Sequence, residues 1–121
     1  TTNPRALEVG AAVLDAVNDD LRANIRDRGA EFKAALQKLA RKHPDVFTQV
    51  LGTGLILCAE VDPDKFSVTG HGGLEEQLRR AGIEMIHGGS NGVRFTPHFA
   101  ITSEEIALIV DTLDRVIARA E

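Results

Sequence analysis

The sequence contains no tryptophan and no tyrosine, and its aromatic residues are five phenylalanines. Proteins that bind nucleic acid commonly stack bases on aromatic side chains and neutralise phosphates with a basic stripe. Here 14 Lys and Arg residues are interspersed with 18 Asp and Glu residues, for a formal net charge of −4. This composition disfavours nucleic acid as a partner.

Cysteine is equally scarce, since Cys58 is the only one and no intramolecular disulfide can form. It lies in the apolar run 55–59, where a buried thiol is the ordinary outcome. We therefore predict a buried, reduced cysteine in a cytoplasmic protein.

Long apolar runs are also missing, because none approaches the roughly 20 residues of a membrane-spanning helix. The start of the chain, residues 1–4, has no initiator Met, no basic flank and no apolar core, so we expect a fragment boundary rather than a targeting segment. A hydrophobic content of 43% over 121 residues is enough for one domain with one core.

Motifs of a self-contained active site are not found. The histidines at positions 43, 71, 87 and 98 lack the short spacing of metal ligands. The two His-Gly-Gly tripeptides lack the glycine and lysine spacing of a nucleotide-binding loop, and no serine lies in a nucleophile elbow. We predict no metal site and no catalytic residue within this chain.

Capping signals and apolar spacing predict four helices. Asn3 and Pro4 start the first, over residues 4–17, whose broad apolar surface indicates more than one packing partner. The second starts with Asp20 as N-cap and ends near His43, because Pro44 disfavours helical geometry before it. A third covers 74–81 and is closed by Gly82. The last begins with a capping box at Thr102.

Four strands are predicted between these helices, over residues 46–51, 55–61, 83–86 and 92–96. The second is apolar on successive residues, so we expect it to be covered on both faces. The order α-α-β-β-α-β-β-α favours an α+β fold in which helices pack on a small, mainly antiparallel sheet.

Arg94 is the residue most suggestive of binding. It alternates with apolar neighbours on a short strand beside a Gly-rich loop, and its planar fork suits a carboxylate. On the local pattern alone, a ligand-binding arginine and a structural arginine paired with a glutamate are equally consistent.

The sequence resembles the C-terminal part of class III aminotransferases, the group of the ornithine, acetylornithine and γ-aminobutyrate enzymes. The likeness runs in order across nearly the whole chain. It rests on Asn3-Pro4, Arg26-Asp27-Arg28-Gly29, Gly52-Thr53-Gly54-Leu55, Val93-Arg94-Phe95-Thr96-Pro97 and Ile101-Thr102-Ser103-Glu104-Glu105-Ile106.

The resemblance implies the C-terminal small domain of a fold type I enzyme over residues 1–121, with 1–18 as the helix linking to a missing large domain. Such an enzyme is a homodimer that transfers an amino group between an amino donor and a keto acid. Its cofactor, pyridoxal 5′-phosphate, is held by a lysine of the large domain. The lysines at positions 33, 38, 42 and 65 do not match that lysine's context, so we expect an inactive fragment without bound cofactor.

The resemblance also assigns roles to individual positions. Arg94 matches the family's arginine that binds the substrate carboxylate or pairs with a nearby glutamate. The family's phosphate-contacting threonine falls upstream of residue 1, so neither Thr1 nor Thr2 is assigned to it. Leu51 and His98 depart from the pattern, since a basic residue and a proline are common there.

Two readings of a different kind stay open from the residues alone. Two strand pairs with covering helices also describe a stand-alone regulatory module that binds a small molecule. The apolar surface of the first helix is equally typical of a dimerisation domain.

Overall fold

The element order in the computed structural model, which describes residues 3–120, is α-α-β-β-α-β-β-α. This confirms the predicted α+β class. The helices are α1 (Pro4–Ala16), α2 (Asp19–Lys42), α3 (Leu74–Arg80) and α4 (Ser103–Ala120), and the strands are β1 (Phe47–Thr53), β2 (Ile56–Val61), β3 (Ile86–Gly88) and β4 (Gly92–Phe95). Among the described residues, no helix is both long enough and apolar enough to cross a membrane.

The four strands form one sheet in the order β1-β2-β4-β3, and all neighbouring strands are antiparallel. Two hairpins therefore meet along β2 and β4. In this register Cys58 of β2 and Ile86 of β3 are the two cross-strand partners of Arg94. Arg94 thus stands on an inner strand with a neighbour on each side.

One face of the sheet and the helices α2, α3 and α4 enclose the core. Helix α2 contributes Phe32, Leu36 and Leu39, which are buried. The rings of Phe32 and Phe95 lie 5.3 Å apart between their centroids and join α2 to β4. From α4 the core receives Ile106, Leu113 and Ile117.

The predicted N-cap of α2 was wrong by two residues. Asn18, not Asp20, caps the helix, since its side chain accepts a hydrogen bond from the Leu21 amide at 2.9 Å. Asp19 and Asp20 instead occupy the first turn, where negative charge is favourable beside the unpaired amides. The other end agrees with expectation, because α2 stops at Lys42 with His43 as C-cap.

The third strand begins three residues later than predicted, at Ile86 rather than residue 83. The reason lies in the end of α3. Gly82, with a φ of +94°, closes the helix as predicted, and the amides of Gly82 and Ile83 bond to the Arg79 and Leu78 carbonyls. Ile83 therefore belongs to the helix cap and its amide cannot serve the sheet.

Helix α1 is capped as predicted, because the Asn3 side chain accepts a hydrogen bond from the Arg5 amide at 3.0 Å. Every one of its residues is nevertheless exposed. Leu7, Val9, Val13 and Leu14 keep between 52% and 72% of their surface open. The partners expected for its apolar surface are not among the described residues.

Candidate functional site

The sheet face opposite the core carries the candidate site. Along β2, buried Leu57, Ala59 and Val61 alternate with outward-facing residues, and Ile56 is 66% exposed. The prediction that this strand is covered on both faces was therefore wrong for the described part of the chain. The open face holds a shallow cavity of about 430 Å³, lined by Leu51, Gly52, Ile56, Leu57, Cys58, Ile86, Arg94 and Thr96.

Arg94 is half-buried and is the only charged residue lining this cavity in the described chain. Its guanidinium group forms no hydrogen bond and no ion pair with any residue in the range 3–120. The guanidinium group is therefore not paired with a carboxylate of the described residues. Its outer edge is free to bind the carboxylate of a ligand through two parallel hydrogen bonds.

The acid two residues beyond Cys58 on β2, Glu60, is already engaged. Glu60, on β2, accepts a hydrogen bond from the Gln49 side chain at 2.6 Å. It also reaches the β3–β4 turn, where a Cβ added to Gly89 would lie 2.3 Å from its Oε1 atom. Glu60 thus belongs to the framework of the sheet.

Cys58 faces the same open surface, directly across from Arg94. The prediction of a buried thiol was wrong, because Cys58 is only half-buried and the side chains of the open face leave it accessible. Partial burial, followed by the negative charge of Glu60, raises the pKa of the thiol, and the opposing effect of Arg94 is weaker. The thiol is therefore protonated at neutral pH and is a poor nucleophile.

Asn91 fixes the turn that leads into the Arg94 strand, although no sequence motif identified this residue. Its side chain donates to the carbonyls of Val61, at 3.1 Å, and Phe66, at 2.8 Å, and accepts from the Val68 amide at 3.1 Å. Three bonds from one amide join the β3–β4 turn to the segment after β2. Only the loop composition, rich in Gly, Ser and Asn, hinted at a specific turn.

The segment after β4 is anchored to two helices. Asn24 of α2 donates to the Phe99 and Ile101 carbonyls, at 2.7 and 3.1 Å. The predicted capping box of α4 is confirmed, since the Thr102 amide donates to Glu105 and the Glu105 amide to the Thr102 hydroxyl. These contacts hold the exit of the Arg94 strand in place.

The histidines and acids of the described chain do not form a metal centre, since no cluster of three potential ligands occurs between residues 3 and 120. His71, His87 and His98 each lie beside a single glutamate, and His43 lies 2.7 Å from Asp114.

The four lysines of the chain do not line the cavity that contains Arg94. Lys33 donates to the Gly52 carbonyl at 2.8 Å, Lys42 pairs with Asp114 at 2.5 Å, and Lys38 and Lys65 are exposed. The described residues therefore offer no amine that could hold a carbonyl cofactor next to Arg94. Thr1 and Thr2 lie outside the described residues.

Comparisons of the sequence with a family profile and with individual proteins identify the same family. Residues 1–117 match the family profile described as Aminotransferase class-III. The acetylornithine aminotransferases of Thermosynechococcus vestitus and Vibrio parahaemolyticus are 31% and 34% identical over 117 and 120 residues, each alignment covering 96% of this chain and 28% of the relative. The chain thus spans just over a quarter of these relatives.

Solved structures agree with this result. Acetylornithine aminotransferase from Elizabethkingia anophelis superposes with a TM-score of 0.79 at 30% identity, over 97% of this chain and 30% of that one. An aminotransferase from Bacillus anthracis gives the same TM-score at 23% identity, over 97% and 28% of the two chains, which supports the fold alone.

Proposed function

The chain belongs to the class III aminotransferase family, and we propose that residues 1–121 are the C-terminal small domain of an enzyme that transfers an amino group from an amino donor to a keto acid. The relatives' greater length supports this reading, because each is more than three times as long as the aligned region. Such an enzyme would carry its catalytic residues in the preceding part, and these 121 residues alone would be inactive.

Residues 1–18 would form the link to that large domain. The exposed apolar side chains of α1 support this assignment, because a helix with four large apolar residues in water gains free energy by packing. A large domain placed before α1 would supply the missing surface. The same family likeness leads us to propose a homodimer that acts in the cytoplasm.

Arg94 would bind the carboxylate of the substrate. The observation that carries this proposal is a half-buried guanidinium group on an open sheet face, without an acidic partner among residues 3–120. A substrate carboxylate would supply a negative charge beside the guanidinium group and accept two parallel hydrogen bonds from it. Ile86 and Cys58, which flank Arg94 on the neighbouring strands, would exclude water from one side of that pair.

Class III aminotransferases depend in general on pyridoxal phosphate, which stabilises the negative charge that develops on the substrate carbon. The lysines of this chain do not suit it, as described above, so the large domain would hold the cofactor. The contribution of this chain would be to orient the substrate through Arg94. The names of the relatives make N-acetylornithine the first amino donor to test.

The direct test replaces Arg94 by alanine in the full-length enzyme. Loss of a charge-assisted pair worth roughly 1.5–3 kcal/mol should lower kcat/KM for the substrate by ~10–100-fold. Arg119→Ala removes an exposed arginine at the end of α4 and serves as the matched control. Equal kcat/KM values for the two variants would show that Arg94 does not bind the substrate.

A second test addresses the cofactor. The 121-residue chain is mixed with pyridoxal phosphate, and the absorbance band of a specific lysine–pyridoxal adduct is sought. We expect only weak, unsaturable reaction of surface amines. A stoichiometric adduct at one lysine would contradict the proposal that the large domain holds the cofactor.

A further inference from the structure

Gly88, at the end of β3, has no backbone reason to be glycine. Its φ lies outside the left-handed region in which six other glycines of the described chain are found. A side chain would therefore be compatible with its backbone. The reason for a glycine must lie in the space above its Cα atom.

That space is occupied by the guanidinium group of Arg94. A Cβ atom added to Gly88 would lie 2.6 Å from Nε, 2.7 Å from Nη2 and 2.8 Å from Cζ of Arg94, and these are its three nearest atoms. Non-bonded heavy atoms in favourable van der Waals contact are normally separated by about 3.5 Å or more. A single methyl group at position 88 would thus displace the fork by about 1 Å.

The strand register explains this contact. Gly88 pairs with Gly92, which precedes Arg94 by two residues and so projects to the same face of the sheet. The Arg94 side chain runs diagonally across the hairpin and lies over the Cα atom of Gly88. Gly88 and Arg94 therefore lie on the same face of the hairpin, and the guanidinium group of Arg94 occupies the space that a side chain at position 88 would need.

We propose that Gly88 is a positioning residue of the substrate site, because its bare Cα atom lets the Arg94 fork lie against the sheet in the orientation that receives a carboxylate. This inference rests on the proposed role of Arg94. A displacement of about 1 Å in a positioning group can cost on the order of 100-fold in rate. Glycine at position 88 would thus be a requirement of substrate binding rather than of the turn.

Gly92 provides a contrast on the same hairpin. A Cβ atom there would lie 2.6 Å from the Cys58 sulfur and 2.7 Å from the Gly88 carbonyl oxygen, which is backbone. Alanine at position 92 should therefore disturb the sheet itself. At position 88, by contrast, the three atoms nearest to an added Cβ atom all belong to the flexible end of the Arg94 side chain, so we expect the fold to tolerate alanine there.

The test is a double-mutant cycle on the full-length enzyme, with Gly88→Ala, Arg94→Ala and the combination. We expect Gly88→Ala to raise KM for the carboxylate substrate by ~10-fold or more, with a smaller change in kcat and an unchanged melting temperature. In the Arg94→Ala background the same change should alter KM by less than about twofold, because the displaced group is gone.

Each outcome is informative. A wild-type KM for Gly88→Ala, together with a raised KM for Arg94→Ala, would refute the positioning role and leave the proposed function intact. The positioning role would also be refuted if Gly88→Ala raised KM in the Arg94→Ala background by as much as it does in the wild type. If Arg94→Ala leaves KM unchanged, the proposed function itself fails. Should Gly88→Ala reduce the yield of folded enzyme, the clash predicts recovery in the double variant, and no recovery would refute it.

Discussion

Gly29 of α2 and Gly54 of the β1–β2 turn are in backbone contact, so that a Cβ atom on Gly29 would lie 2.4 Å from the Gly54 carbonyl oxygen. Gly54 has a φ of +56°, a conformation that favours glycine, so the turn cannot easily shift. Two of the motifs that identified the family therefore meet in space. Glycine at position 29 lets α2 lie directly on the hairpin.

Replacement of Gly29 by alanine should destabilise the protein, although alanine favours helix by about 1 kcal/mol. The buried methyl group would clash with backbone, and overpacking of this kind costs ~1–3 kcal/mol or more. We expect a net decrease in the free energy of unfolding, measured by urea denaturation.

Gly10→Ala in α1 is the matched control, because beyond the adjoining backbone of the helix no atom of the described residues lies within 4 Å of a Cβ atom at that position. This change should be neutral or stabilising by about 0.5–1 kcal/mol. Equal effects of the two substitutions would show that the Gly29–Gly54 contact is not tight in solution.

Asn91→Ala should loosen the hairpin that carries Arg94. Three hydrogen bonds are lost, and buried carbonyls of the neighbouring segment lose their donor, so we expect a cost of ~1–3 kcal/mol in unfolding free energy. Asn91→Asp keeps the acceptor for the Val68 amide but removes both donated bonds, and its cost should be of similar size. Thermal unfolding of both variants tests this, and wild-type stability of Asn91→Ala would contradict it.

Stability should fall in acid partly through Asp114. Hydrogen bonds from Lys42 and then from His43 lower the pKa of the Asp114 carboxyl below its ordinary value, against a smaller effect of burial. The Asp114 carboxylate therefore binds a proton less tightly in the folded state than in the unfolded state. Its contribution to the free energy of unfolding is present above pH ~4 and is lost as the pH falls through the lower pKa of the folded state.

Asp114→Asn should therefore be less stable than the wild type at pH 6, and the difference should shrink towards pH 3. Urea midpoints across this range measure it. Asp111→Asn, one turn earlier on α4 and exposed, is the control and should follow the wild-type curve. A constant difference between Asp114→Asn and wild type at all pH values would contradict this origin of the effect.

Much of the fold could be predicted because its signals are local. The Asn3-Pro4 cap, the Thr102–Glu105 capping box and Gly82 each act within one turn of chain, and all three occur as predicted. The start of β3 could not be predicted in this way. The Ile83 amide bonds to the Leu78 carbonyl at the end of α3, and the hydrophobic pattern of the sequence does not show which carbonyl an amide will bond to.

The candidate site was harder to predict for a similar reason. An apolar run such as 55–61 does not reveal whether anything covers its second face, so Cys58 was placed in the core although it faces outward. Arg94 was identified through its neighbours and the family likeness. The direction in which its side chain runs, over Gly88, depends on strand register, which no local pattern encodes.

Recognition of a substrate carboxylate by Arg94 can be measured by comparing two acceptor substrates. In the full-length enzyme, kcat/KM is measured for a keto acid acceptor and for the aldehyde that lacks its carboxylate. The wild type should prefer the keto acid, and Arg94→Ala should lose that preference by ~10–100-fold through the keto acid alone. An unchanged preference, or an equal loss for both acceptors, would contradict this role of Arg94.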